Sequence, residues 1–252
     1  MVVPLFDDNT DRRSWPYVTY LLIAANLVVF VLAEDMGRNA TIVYALATVP
    51  REIVTGRDVI TETHVVPDPV TGGYLTIPGL AKTPGPVYLT LLTSMFLHAG
   101  WLHLLGNMLF LWIFGDNVED ALGHVRFLIF YLVCGVLAAL AQVFDTVARF
   151  GLGSQEALTP CVGASGAISG VLGSYLLLFP HKRVVVILFR ILTEVPAWVA
   201  IGTWFAFQIF SSWVEGFQSG VAYAAHLGGF VVGLALVKLF ALGRRPTPAH
   251  AV

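Results

Sequence analysis

The sequence predicts an all-α membrane protein, a bundle of six transmembrane helices with a long first extracytoplasmic loop, and three observations carry that expectation. Hydrophobic residues make up 57% of the 252-residue chain and charged residues 12%, whereas roughly a quarter of the residues of a soluble domain are charged. Six stretches reach or approach the roughly 20 apolar residues that a helix needs to cross about 30 Å of hydrocarbon: Tyr17–Ala33, Leu102–Gly115, His124–Val147, Gly163–Phe179, Pro196–Trp213 and Val221–Leu242. None carries Asp, Glu, Lys or Arg at its middle, which speaks against a proton or ion pump with a charged relay at membrane depth.

The N-terminal segment 1–16 places Asp7, Asp8 and Asp11 ahead of Arg12 and Arg13. It has no basic n-region, short apolar core or small-residue cleavage site, so the first span is expected to remain in the mature protein. The membrane domain then runs over 17–242, and 243–252 forms a tail. Orientation follows from the basic residues flanking the spans. With a cytoplasmic N-terminus, Arg12, Arg13, Arg126, Lys182, Arg183, Arg190, Lys238, Arg244 and Arg245 all lie inside, against Arg38, Arg51, Arg57, Lys82 and Arg149 outside. Both termini are therefore expected in the cytoplasm, in the cell's inner membrane.

The first connection, 34–93, is far longer than the loops that usually join elements. Within it Ile42–Ile53 has the pattern of an amphipathic helix lying at the outer interface, and Asp68-Pro69-Val70-Thr71-Gly72-Gly73 reads as a turn. For Arg57–Lys82 a floppy insertion is an equally good reading. The second span is short, with apolar residues ahead of His103 available to extend it. Phe114–Asp120 is expected to close that span, its Asp and Asn side chains capping the next helical turn. Pro196 fits the first turn of the fifth helix, where its missing N–H costs nothing. Cys134 and Cys161 fall at different depths, so no disulfide is expected. A net charge of −2 and no long basic cluster argue against a nucleic-acid partner.

This topology gathers polar residues at one depth. The fourth and sixth spans enter from outside, putting Ser165 in the first turn of one and His226 about two turns down the other. His103 and Asn107, four apart on one face of the second helix, lie at the same level. Serine becomes a useful nucleophile when a neutral histidine takes its proton, and no Asp or Glu lies at that depth, so the expectation is a Ser-His dyad. His103 and Asn107 carry N–H donors suited to a tetrahedral oxyanion, together with the Ser165 backbone N–H. Small residues at Gly166, Gly170 and Gly173, and at Ala222, Ala225, Gly229 and Gly233, would let the two helices approach closely enough for the dyad to form. The same patterns also fit plain helix packing and interhelical hydrogen bonding, and for His103 and Asn107 taken alone that reading has the better odds.

Three motifs in order, His103-Leu104-Leu105-Gly106-Asn107, Gly163-Ala164-Ser165-Gly166 and Ala225-His226-Leu227-Gly228-Gly229, resemble the rhomboid family of intramembrane serine proteases, of the bacterial type. Phe96-Leu97-His98-Ala99-Gly100-Trp101 and Phe114–Asp120 add to the likeness, which covers most of the chain outside the first loop. The resemblance implies that Ser165 is the nucleophile, His226 the base, and His103 with Asn107 the oxyanion donors. It also implies single-pass or multi-pass membrane-protein substrates, the lipid bilayer as medium, and no cofactor or metal. His98 is implied to brace the first loop. Ser169 departs from the pattern, standing where family members often carry an aromatic residue against the base, and its hydroxyl is a candidate support for His226. The alternatives weighed are a catalytically inactive relative that binds or escorts membrane helices, a zinc protein built on His98, His103 and His226, and a small-solute transporter. The first usually loses the serine or the histidine; the second lacks a His-Glu-x-x-His motif; the third lacks paired broken helices and midplane polar sites.

Overall fold

The computed structural model describes residues 2–67, 72–188, 191–214 and 222–243. Strand β1 (Val2–Asp7) leads into α1 (Tyr17–Val28), which ends in a π-helical turn, Val29–Ala33. The first loop holds α2 (Ala40–Leu46), α3 (Pro50–Thr55), β2 (His64–Pro67), β3 (Tyr74–Ile77) and α4 (Thr90–Thr93), the last flanked by 3-10 turns. Then follow α5 (Trp101–Leu122), α6 (His124–Phe150), α7 (Ser165–Leu178), β4 (Arg183–Leu188), β5 (Ile191–Pro196), α8 (Ala197–Val214) and α9 (Tyr223–Phe240).

Among the described residues α6, α8 and α9 are long and apolar enough to cross a membrane, and α5 becomes a fourth when joined to Val87–Phe96. Tyr17–Ala33 and Ser165–Leu178 are apolar helices of shorter length. The chain is a mostly helical, multi-pass membrane protein.

Several expectations need correction. The fold is not all-α: β1, β4 and β5 form an antiparallel sheet in the order β1-β4-β5, with Val3 opposite Ile187 and Arg183 opposite Pro196. The β-branched run Val184-Val185-Val186-Ile187 suits a pleated surface, and Pro4 is accommodated on the edge strand beside a bulge. Pro196 ends β5 rather than opening α8. The segment before His103 does not extend α5 in line, because Val87–Phe96 is bent 80° away from it. Phe114–Asp120 lies inside α5, which runs on to Leu122 and turns into α6 through the single residue Gly123 at φ +80°. Instead of one helix over Ile42–Ile53 there are two, since Pro50 disfavours a helical residue before it and Thr48 pairs across an antiparallel bridge with Cys161. The expected turn at Asp68–Gly73 falls at 68–71 outside the described residues, but the strands on either side pair as a hairpin, His64 opposite Ile77. The described residues of Arg57–Lys82 are thus structured: Val59 N–H donates to Glu52, Leu80 N–H to the Thr61 hydroxyl and Thr83 N–H to Asp58. Cys134 and Cys161 are both free.

Two polar clusters fix the end of the bundle that carries the sheet. The first turn of α1 has no capping side chain of its own. Buried Glu119 of α5 caps it instead, accepting from Val18 N–H at 2.9 Å and from the Thr19 N–H and hydroxyl at 2.7 Å. Next to it, Asp7 accepts from Asn117 Nδ2 at 2.8 Å and from the Tyr175 hydroxyl, while Arg12 pairs with Asp116 and Lys182 with Asp11, both at 2.7 Å.

At the other end the helices meet through glycine. A Cβ on Gly229 would lie 2.1 Å from the Gly166 carbonyl oxygen, one on Gly233 2.0 Å from that of Gly170, and one on Gly173 2.3 Å from that of Phe230. Helices α7 and α9 are therefore in backbone contact, the close approach that small residues permit where lipid offers no hydrophobic drive to association. Gly229→Ala should lower thermal stability in detergent by about 1–3 kcal/mol, as overpacking does. Gly202→Ala on α8, where a Cβ meets nothing within 4 Å, should leave the melting temperature unchanged.

Burial, and then the neighbouring Asp116, raise the Asp7 carboxyl from 3.8 to about 7. The folded chain keeps a proton there that the unfolded chain releases, so this group's contribution to stability is complete below about pH 4 and is lost as pH rises towards 7. The melting temperature of the wild type minus that of Asp7→Asn should fall as pH rises from 4 to 7; a difference that stays constant over that range would refute the assignment.

Candidate active site

Ser165 is the first residue of α7, in a turn whose backbone N–H groups have no acceptor within the helix. Its hydroxyl lies 2.8 Å from His226 Nε2. His226 stands in the first turn of α9, nearer the helix start than expected because that helix begins at Tyr223. The start of α9 is held from α6, where buried Gln142 accepts from Ala225 N–H at 3.2 Å and donates to Thr146. The histidine is thus placed by a cap beside it and by the glycine seam below it.

The other imidazole nitrogen, Nδ1, lies 2.9 Å from Oε1 of Gln208 on α8. With an acceptor at Nδ1 the ring carries its hydrogen there and presents the Nε2 lone pair to the serine hydroxyl. Reading the sequence for Asp and Glu overlooked this residue. The available signal was an amide in the apolar run Ala206-Phe207-Gln208-Ile209-Phe210, since a buried polar group in a membrane helix needs a partner.

His103 and Asn107 project from the start of α5 towards the loop ahead of Ser165. Gly163 there has φ +121°, and a Cβ on it would sit 2.8 Å from His103 Nε2 and 3.6 Å from Asn107 Nδ2. Glycine is needed for both conformation and space. Ala99 N–H approaches His103 Nδ1 at 3.4 Å, so Nε2 is the nitrogen that carries hydrogen, and it faces Gly163. Asn107 Nδ2 is 3.0 Å from His98 Nε2, leaving a second amide hydrogen for the site. Buried His98 takes both Glu34 carboxylate oxygens on its backbone N–H at 3.1 and 3.2 Å, linking the end of the first helix to Asn107. The structure therefore groups Ser165 with His226, and His103, Asn107 and His98 with one another beside Gly163.

Ser169 does not reach His226. Its hydroxyl donates to the Ser165 carbonyl at 2.7 Å, the bond a helical serine commonly makes one turn back. Aromatic surroundings for the imidazole come from elsewhere, with the Trp204 ring 6.2 Å and the Tyr223 ring 6.5 Å away. His98 and His103 have their rings 5.2 Å apart, but both His226 nitrogens are engaged by Ser165 and Gln208. Among the described residues no group of three or more His, Cys, Asp or Glu side chains is arranged to hold a metal ion.

Comparison with known proteins places the chain in a family. The model of the Rhomboid domain matches residues 86–242, more than half of the chain. Rhomboid protein 1, mitochondrial, of Saccharomyces cerevisiae is 33% identical over 154 residues, 58% of this chain and 40% of that protein. Rhomboid protease GluP of Bacillus subtilis is 33% identical over 162 residues, 62% of this chain and 28% of its own length. The human presenilin-associated rhomboid-like protein, mitochondrial, is 30% identical over 151 residues, 57% and 36% of the two chains. The chain thus spans less than half the length of each of these relatives, and the segment 86–242 that the family model matches includes Ser165, His226, His103 and Asn107. On that match, the chain belongs to the rhomboid family.

Proposed function

We propose that the protein is an intramembrane serine endopeptidase that hydrolyses peptide bonds in or near the membrane segments of other proteins. The observation that carries the reading is the 2.8 Å contact between Ser165 Oγ and His226 Nε2 at the N-terminus of a helix, beside the donors of His103 and Asn107. The name of the B. subtilis relative, a rhomboid protease, supports it.

In this mechanism Ser165 attacks the scissile carbonyl as His226 Nε2 takes its proton. The negative oxygen is met by His103 Nε2–H, Asn107 Nδ2–H and the Ser165 backbone N–H. His226 returns the proton to the leaving amine, and water then hydrolyses the acyl-enzyme. No cofactor takes part. A helical peptide bond is shielded by its own hydrogen bonds, so substrates carry helix-weakening or small residues where they are cut. The two shorter apolar helices also cross the membrane, making six spans with the first loop as the extracytoplasmic side. Both termini lie in the cytoplasm of a cell with this protein in its inner membrane, as the positive-inside count favours, and the site opens near the outer face.

A fluorophosphonate separates this enzyme from an inactive helix-binding relative. The wild type should label and should cleave a model membrane substrate; Ser165→Ala and His226→Ala should do neither while remaining folded and inserted. Substantial cleavage by either variant sinks the dyad. For the oxyanion donors, His103→Ala, Asn107→Ala and the double variant are compared in initial rate and melting temperature. A donor aimed at transition-state charge lowers kcat by up to roughly 10²–10³ with little change in KM, and the double variant loses more than either single one. Loss of helix glue would instead lower the melting temperature and leave the folded fraction turning over at the wild-type rate.

A further inference from the structure

We propose that Gln208 is the positioning residue of this site, holding His226 through its Nδ1–H and so completing a hydrogen-bonded Ser165–His226–Gln208 chain with a neutral third member; the inference rests on the reading of Ser165 and His226 as a dyad. The geometry is that of a ring clamped from both sides, with 2.8 Å on the serine face and 2.9 Å on the amide face. The three groups stand on three different helices, α7, α9 and α8, so the imidazole is fixed in three dimensions rather than by its own helix. Gln208 is 8% exposed among Phe, Ile and Ala neighbours in sequence, a costly place for an amide without a partner.

The chemistry fits the surroundings. Nδ1–H must be held by an acceptor for Nε2 to be free as a base, and a carboxylate acceptor at this position would have to be desolvated in an apolar helix. The amide oxygen selects the same tautomer without a buried charge. When Ser165 Oγ bonds to the carbonyl carbon, its proton moves to Nε2; the Nδ1–H stays on the ring and its bond to Gln208 strengthens as the imidazolium forms. Gln208 itself neither gains nor loses a proton.

The test uses detergent-solubilised full chain with Gln208→Met, which keeps length and removes the acceptor, and Gln208→Glu, which keeps an acceptor oxygen at the same reach in either protonation state. Gln208→Met should melt within a few degrees of wild type, lose about 10-fold to 100-fold in kcat with KM little changed, and label with fluorophosphonate more slowly by a similar factor. Gln208→Glu should recover most of that rate. Wild-type turnover in Gln208→Met overturns the proposal, as do equal losses in both variants that follow a lowered melting temperature, the behaviour of a tether between α8 and α9. If Gln208→Met does not fold, Gln208→Glu decides: a folded Glu variant near the wild-type rate supports the role, and one slowed tenfold overturns it. Cleavage by Ser165→Ala would instead refute the dyad, a result distinct from failure at Gln208.

Discussion

The contact between the backbones of α7 and α9 is the constraint on which the rest depends. Gly229 and Gly233 lie against the carbonyls of Gly166 and Gly170, and Gly173 against that of Phe230, with no side chain between, so the separation of the two helices is set by carbonyl oxygens pressed against α-carbons. Ser165 and His226 lie just beyond the upper end of that seam. Their hydrogen bond is accordingly a result of packing and not its cause. A bond of this kind contributes little to holding membrane helices together, whereas a row of missing side chains determines where the hydroxyl and the imidazole stand.

The first loop acts on the same site from the opposite side. Thr48 pairs with Cys161 through backbone bonds of 2.8 and 3.1 Å, and the Ser94 carbonyl accepts from Gly163 N–H at 2.9 Å. Thr48 and Thr93 fasten the loop's own parts together by bonding the carbonyls of Thr90 and Leu46. The Gly163 turn, which brings the His103 ring and the Asn107 amide alongside Ser165, is therefore held by residues some 70 and more positions earlier in the chain. Through Glu34 and His98 the end of the first helix reaches Asn107 as well. The loop is thus part of the site's scaffold.

Much of this was legible in the sequence. Apolar runs marked α1 and α5 to α9, because a helix crossing hydrocarbon must be apolar along its length, and the serine, the histidines and the asparagine were visible as polar exceptions near helix ends. The sheet was not read, although Arg183–Leu188 and Ile191–Pro196 are two β-branched stretches separated by two residues, a hairpin pattern; an expectation of helices everywhere hid it, and the third strand comes from the distant Val2–Asp7. The position of His226 within its helix was misjudged by about a turn, because the start of α9 depends on a bond from Gln142 on another helix. Gln208 went unnoticed for a related reason: its meaning lies in what it faces across a helix boundary, which periodicity along one chain segment does not encode.

Glu119 carries a consequence for biogenesis. The N–H groups of Val18 and Thr19 find their acceptor 101 and 100 residues downstream, so the first helix leaves the ribosome with its leading end uncapped. Until α5 has been synthesised, those groups must be satisfied by water at the membrane surface. Docking of α5 exchanges that water for a carboxylate that ends fully buried. The helix α1 is in this sense a late component: made about a hundred residues before α5, it reaches its final seat only when α5 has followed it.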